Sequence, residues 1–434
     1  MEYVSMVRWR IILSVIILFS VEFVSGQSLT STSASYSEQT SYPVFAGKDN
    51  IYYYCGTSEH QSGSLTAASS GGSVTFTWDK FTPSSGSFSF YSNETGVTSV
   101  INGLSDGCYR VSFRDNGVDY QLRAWVMNSW ITPTPTITDS NCQSFTLNGS
   151  VTGANYSYSD LSTNQPVPVN PGYKYIWESN TILMATIQNP VIVNPPSVTT
   201  IYQFQVTDRA GCTQSSQATY ESIVPKAQFS WKTSQPSEAQ FVNHEAPLEV
   251  AFVNESVNAD VDKYEWFLFK EKSEIQKEAA GGAKVDSIMD MIYLENPSYT
   301  YNHTGSYMVK LVAAKQTTGY TCRDTFYLKD YIVIDTSLVK VAPAFTPNGD
   351  GINDILTIVT RSLESLDFQV FNRWGRVVHH YRKIGFIPGD SKLAAWDGKI
   401  NGKLASPGVY FYVADAEGRD GKRRRKKGFV EMIH

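Results

Sequence analysis

The chain of 434 residues is long enough for two to four domains at roughly 100 to 200 residues each. With 41% hydrophobic, 18% charged and 13% aromatic residues, 26 Tyr and 9 Trp among them, it reads as globular, which excludes disorder, collagen and coiled coil as the main architecture. A formal net charge of -5 carries no polyanion-binding signal, so nucleic acid is excluded as the default partner, and five cysteines are too few for a disulfide-knot protein.

Residues 1–26 hold Arg8 and Arg10, then an apolar run over 11–19, then Ser25 and Gly26 before Gln27. This predicts a secretory signal peptide, because the apolar run is shorter than the ~20 residues a membrane span needs. No later stretch is apolar enough to span a bilayer, so no transmembrane segment is expected after signal cleavage. The mature chain then enters an oxidising compartment, where disulfides persist. Residues 27–41 are dominated by Ser, Thr and Gln and predict a Ser/Thr-rich linker, since such a segment buries little apolar area.

Beyond the linker, short alternating runs rich in Val, Tyr, Phe and Thr recur between Gly, Asn, Pro and Ser clusters, which predicts an all-β body. One pattern, a small-residue turn followed by Tyr and alternating apolar residues, appears four times, with Tyr109, Tyr202, Tyr307 and Tyr410 separated by 93, 105 and 103 residues. That spacing matches the ~100 residues of an immunoglobulin-like β-sandwich, whose strand F often opens with a tyrosine corner. One Trp precedes each copy, namely Trp78, Trp177, Trp266 and Trp374, the first three in strand-like contexts. The fold expected is a tandem array of four immunoglobulin-like β-sandwiches over 42–131, 132–225, 226–337 and 338–434. Within it, Cys55 with Cys108 and Cys142 with Cys212 suit inter-sheet bridges, leaving Cys322 over. Charge is uneven: residues 340–434 hold 16 Lys and Arg against 10 Asp and Glu, and residues 27–339 hold 18 against 29.

The last segment carries the most specific residues. Phe345-Thr346-Pro347-Asn348-Gly349-Asp350-Gly351 leads through Ile352 to Asn353-Asp354; Phe371 to Trp374-Gly375, Trp396-Asp397-Gly398, Pro407 through Tyr410 to Tyr412, and Gly428-Phe429-Val430 follow in order. Together they resemble the gliding-motility-associated C-terminal domain, the type B sorting domain of Bacteroidetes cargo for the type IX secretion system. The resemblance implies recognition by the type IX secretion machinery and export to the outer-membrane surface or the extracellular space. Residues 226–337 more weakly resemble a PKD domain, through Val250–Ser256, Tyr264-Glu265-Trp266 and Pro297–Tyr301, although the usual turn after the Trp is replaced by Phe267–Lys270 and a charged insertion.

Two local features invite a chemical reading. Asn348, Asp350, Asn353 and Asp354 offer short oxygen-bearing side chains on a Gly-rich turn, as calcium requires, and equally suit a turn closed by Asx hydrogen bonds. Lys422-Arg423-Arg424-Arg425-Lys426-Lys427 is a cationic block that the preceding alternation assigns to a final hairpin, where it steers the domain toward an acidic translocon component or anionic glycolipid, or protects a sheet edge. No zinc-binding His-Glu-x-x-His, Gly-x-Ser-x-Gly elbow or phosphate loop occurs, so the chain is expected not to be an enzyme and to need no cofactor other than that calcium. The function expected is adhesion or surface assembly through immunoglobulin-like modules that bind other surface proteins. The alternative is a carbohydrate-binding accessory of polysaccharide capture whose partners are surface glycans.

Overall fold

The computed structural model describes residues 27–56, 62–234, 244–282 and 284–433; the signal peptide expected over residues 1–26 lies outside the described residues. The described residues form two compact units, one of those up to Thr136 with Leu147–Pro190 and Ile201–Ala218, the other of Ile137–Thr146, Val191–Thr200 and those from Thr219 onward. The fold is all-β apart from one short helix among the described residues.

In the first unit, period-two alternation builds a six-stranded sheet in the order Tyr36–Gln39, Asn50–Cys55, Val118–Ser129, Gly107–Asp115, Val74–Thr82, Ser87–Gly96. A three-stranded sheet of Ser28–Thr30, Gly63–Ala68 and Thr98–Leu104 supplies Leu65, Ala67, Ile101 and Leu104 to the same core, which centres on the fully buried Trp78. A bulge between Trp78 and Asp79 shifts the phase of that strand, so that Phe81 is buried in place of Lys80. Further on, Lys174–Ser179 pairs with Ile182–Ala185 on one side and with the strand ending at Thr207 on the other. It carries the buried Trp177, stacked on Phe204 at 4.4 Å.

The segment expected to be a linker is built into this unit. Ser28–Thr30 pairs with Thr66–Ala68, and Tyr36–Gln39 pairs with Asn50–Tyr53. An edge strand needs one row of backbone partners and little side-chain burial, which hydroxyl-rich residues supply; Tyr36 adds a ring contact with Tyr53 at 5.7 Å.

In the second unit, Leu248–Asn254 lies between Phe229–Lys232 and Ser298–Tyr301, and Tyr264–Phe269 and Val309–Gln316 form the centre of a four-stranded sheet around buried Trp266. The charged insertion forms the helix Lys272–Ala280, capped by the Glu271 carboxylate on the amides of Ser273 and Glu274, with no residue of the helix buried. At the C-terminal end, a three-stranded sheet of Leu338–Val341, Leu356–Arg361 and Lys392–Trp396 shares one core with a five-stranded sheet. That sheet runs Ala344–Phe345, Arg423–Met432, Gly408–Gly418, Leu363–Phe371, Val377–Ile384.

The repeated tyrosines are corners. Tyr109, Tyr307 and Tyr410 each donate their hydroxyl to the carbonyl four residues upstream, that of Ser105 at 3.0 Å, His303 at 3.1 Å and Ser406 at 2.8 Å. Tyr202 is likewise buried. The tryptophan series needs one correction: the buried Trp of the C-terminal sheets is Trp396, whereas Trp374 sits in the turn Asn372–Arg376 and is 74% exposed.

Both expected cysteine pairings are also corrected. The disulfides join Cys55 to Cys212 and Cys142 to Cys322, each with a Cα–Cα distance of 5.3 Å, and Cys108 is the free, buried thiol. Cys55 and Cys108 lie in one sheet, on strands flanking Val118–Ser129, where they stand opposite Ser129 and Trp125. Four residues along a strand are about 13 Å, and two strand spacings add about 9.6 Å, far beyond the roughly 7 Å limit for a bridge. Cys142 and Cys212 fall in different compact units. The bonds that do form close separations of 157 and 180 residues, longer than one sandwich period, so they join successive repeats and not the two sheets of one.

Candidate functional site

The motifs of the C-terminal region converge on Trp396. Its ring meets Phe345 at 5.3 Å and Tyr410 at 5.0 Å, and its Nε1 donates to the Lys399 carbonyl at 3.0 Å. Gly398 closes this arrangement: its φ is +76, and a Cβ there would stand 2.9 Å from Pro347 and 3.2 Å from Phe345. Asp397, in the same turn, accepts the Lys399 amide at 3.0 Å. His379 stacks beside Trp396 at 6.1 Å, and burial pushes its imidazole pKa down.

The loop after Phe345 closes on itself. Asp354 accepts the amides of Gly349 at 2.6 Å and Gly351 at 2.8 Å, Asn348 accepts that of Asp350 at 3.1 Å, and Asp350 accepts that of Ile352 at 2.8 Å. Asn348 also donates its side-chain amide to Asp350, and Thr346 bonds the Asn353 and Ile352 carbonyls. Gly349, Gly351 and Asn353 have φ of 82, 85 and 55, the left-handed conformations this turn requires. Three of the four residues named as calcium ligands, Asn348, Asp350 and Asp354, thus accept the loop's own amides. Among the described residues, no group of three or more His, Cys, Asp or Glu is arranged to hold a metal ion.

The cationic block lies on the strand Arg423–Met432, paired with Gly408–Gly418 as a hairpin. Among the described residues its other side pairs only at Glu431 and Met432, with Ala344 and Phe345, which leaves residues 423–430 on an open edge there. Alternation splits the charges. Arg424 grips Asp420 with two guanidinium nitrogens, and that bond holds the Asp420 carboxyl below the usual carboxylate range. Arg423 and Arg425 face Asp415 at 3.8 and 3.5 Å. Lys422, Lys426 and Lys427 are exposed.

The structure therefore gathers Phe345, Pro347, Gly398, Trp396 and Tyr410 around one buried ring, whereas Trp374 is exposed in its turn. Gly375, with φ of 78, serves the turn that presents Trp374, as its amide donates to the Asn372 carbonyl at 3.0 Å. The sequence places Phe411 and Phe429 within the motifs but does not show that they face outward, where they are 49% and 64% exposed. Their signal is the strict alternation that buries Tyr410 and Val430 beside them.

Residues 339–432 match the family described as the CHU_C type IX secretion signal domain. No curated protein matches the chain. Among solved structures, a tetra-tandem repeat from the extending region of a large adhesion protein is 13% identical over 86% of this chain and 96% of that one, with a TM-score of 0.24. An I-band fragment of titin is 13% identical over 63% of this chain and 94% of that one, with a TM-score of 0.30. The N-terminal eight immunoglobulin domains of the Down Syndrome Cell Adhesion Molecule are 11% identical over 88% and 53%, with a TM-score of 0.23. The type IX secretion signal indicates export to the cell surface or the extracellular space. No helix among the described residues is long and apolar enough to cross a membrane.

Proposed function

We propose that the chain is a non-enzymatic exported protein whose immunoglobulin-like modules before residue 338 serve adhesion or surface assembly outside the cell, with 338–434 as its address. The observation that carries this reading is a secretion signal domain at residues 339–432 behind strand-built modules tied by two disulfides that each span more than one module. Disulfides of that kind suit an oxidising exterior and hold modules together as a display unit. A chain built this way presents surface and needs no reaction centre.

Deleting residues 338–434 traps the chain in the periplasm; normal surface delivery of the truncated chain overturns the export reading. Cells carrying the full chain attach to surfaces or to one another better than cells lacking it. Equal attachment, with a saccharide bound on a glycan array by the full mature chain, turns the reading toward carbohydrate capture.

A further inference from the structure

The C-terminal five-stranded sheet has an outer face that its core does not use. Inward residues such as Phe368, Val370, Tyr410 and Val430 are buried against the three-stranded sheet. On the other face, the strand register sets Val377, Phe371, Phe411 and Phe429 side by side across four adjacent strands. Val377, Phe411 and Phe429 are 46%, 49% and 64% exposed, although burial would stabilise each such side chain. Folding gives no reason for a continuous apolar row on this side.

Its border is charged in a readable way. Lys427 stands beside Phe429 on the same face, two residues away, and Arg373 and Arg376 lie in the turn that joins two of the strands. Trp374 projects from that turn, with the Arg373 guanidinium 4.2 Å from its ring centre. Trp and Arg are both among the residues enriched where protein interfaces draw their energy. Farther along the face the rows are mixed in sign, with His380 on Asp367 at 3.1 Å and Arg425 on Asp415 at 3.5 Å.

We propose that this outer face is the surface through which the secretion machinery recognises the domain, and that its occupant is a protein face with an apolar centre bordered by carboxylates. The proposal rests on the export reading and adds the side of the domain that is read. Cations around the row call for acidic groups opposite them. The acids Asp367, Asp415 and Glu417 on the same face would be repelled by an anionic lipid surface, whereas a protein can meet them with cations of its own. A second copy of the strand Arg423–Lys427 laid against the first would set cation against cation, which disfavours self-pairing.

The test uses the full chain in cells that export it. Phe411→Ser combined with Phe429→Ser leaves thermal melting of the purified protein unchanged and lowers the surface-delivered fraction roughly tenfold, with accumulation in the periplasm. Arg373→Glu with Arg376→Glu, which alters only exposed turn residues, lowers it in the same direction and carries the test if the Phe variant fails to fold. If both variants reach the surface at the parent level while deletion of 338–434 is trapped, the face is not the recognition surface and the export reading stands. If the deletion is itself delivered, the export reading falls. Phe411- and Phe429-dependent sedimentation with vesicles of anionic phospholipid, joined to undiminished export of the variant, assigns the face to lipid and overturns the proposal.

Discussion

Residues 27–337 and residues 338–434 hold similar sandwiches together by different means. The former contain all five cysteines and two long-range disulfides, together with buried polar links such as the Tyr156 and Ser129 hydroxyls on Asp208. The latter have no cysteine and rely on the Trp396 core, the self-closed loop and the Arg424–Asp420 pair. The difference teaches where each region needs rigidity. The first fixes one repeat to the next covalently, whereas the second is held to the region before it by polar contacts, Ala246 to Ser362, His303 to Arg419 and Asp335 to Arg361, and its outer sheet face stays free.

Reduction breaks the comparison most severely. In the chain-entropy account, each disulfide closes a loop long enough to contribute about 5 kcal/mol, so reduction or Cys55→Ser lowers the denaturation midpoint of the first region steeply. The cysteine-free domain keeps its transition, followed by proteolysis of the two regions in parallel. Next, Trp396→Ala destabilises the C-terminal domain by about 3 to 5 kcal/mol, whereas Trp374→Ala, on an exposed side chain, shifts its melting by no more than about 0.5 kcal/mol. Equal losses would mean that Trp374 packs a core.

Acid sharpens the contrast from the other side. Burial opposes ionisation of Asp160, but the amides of Val44, Phe45, Ser162 and Thr163 outweigh it and hold its pKa at about 2. A carboxylate depressed on folding contributes stability above its unfolded value of about 3.9 and loses it as pH falls through the folded value. The first unit therefore weakens between about pH 4 and pH 2, and Asp160→Asn removes that dependence in an acid titration followed by tryptophan fluorescence. The smallest effect concerns the loop: Asp354→Ala costs about 1 kcal/mol through the lost amide bonds, and melting is the same with calcium and with chelator. A calcium-dependent rise lost in Asp350→Ala would instead show that the loop binds calcium.

Much of the architecture was legible because it obeys local rules. A tyrosine corner needs only a Tyr and a carbonyl four residues back, so its repeat survives in the sequence at Tyr109, Tyr307 and Tyr410. Alternation likewise put the cationic block on the last hairpin. The disulfides were illegible because a bridge depends on which ends of which strands meet, and position within a repeat does not report that. Ser28–Thr30 and Tyr36–Gln39 were hidden because backbone pairing asks little of side chains. Trp374 misled through spacing alone. In the candidate site, the buried motif residues could be read directly, while the exposed row needed strand register, which sets residues 371, 377, 411 and 429 together from four separate stretches.

The two disulfides interleave, since Cys142 falls inside the 55–212 loop and Cys212 inside the 142–322 loop. Under tension from its ends, the chain from Cys55 to Cys322 can therefore run through one bridge, along the stretch between Cys142 and Cys212, and out through the other. Even with every strand unravelled, those 70 residues set the limit, about 250 Å at full extension, where the uncrosslinked segment would pay out roughly 900 Å. Between Cys55 and Cys322 the slack of the chain has been removed covalently.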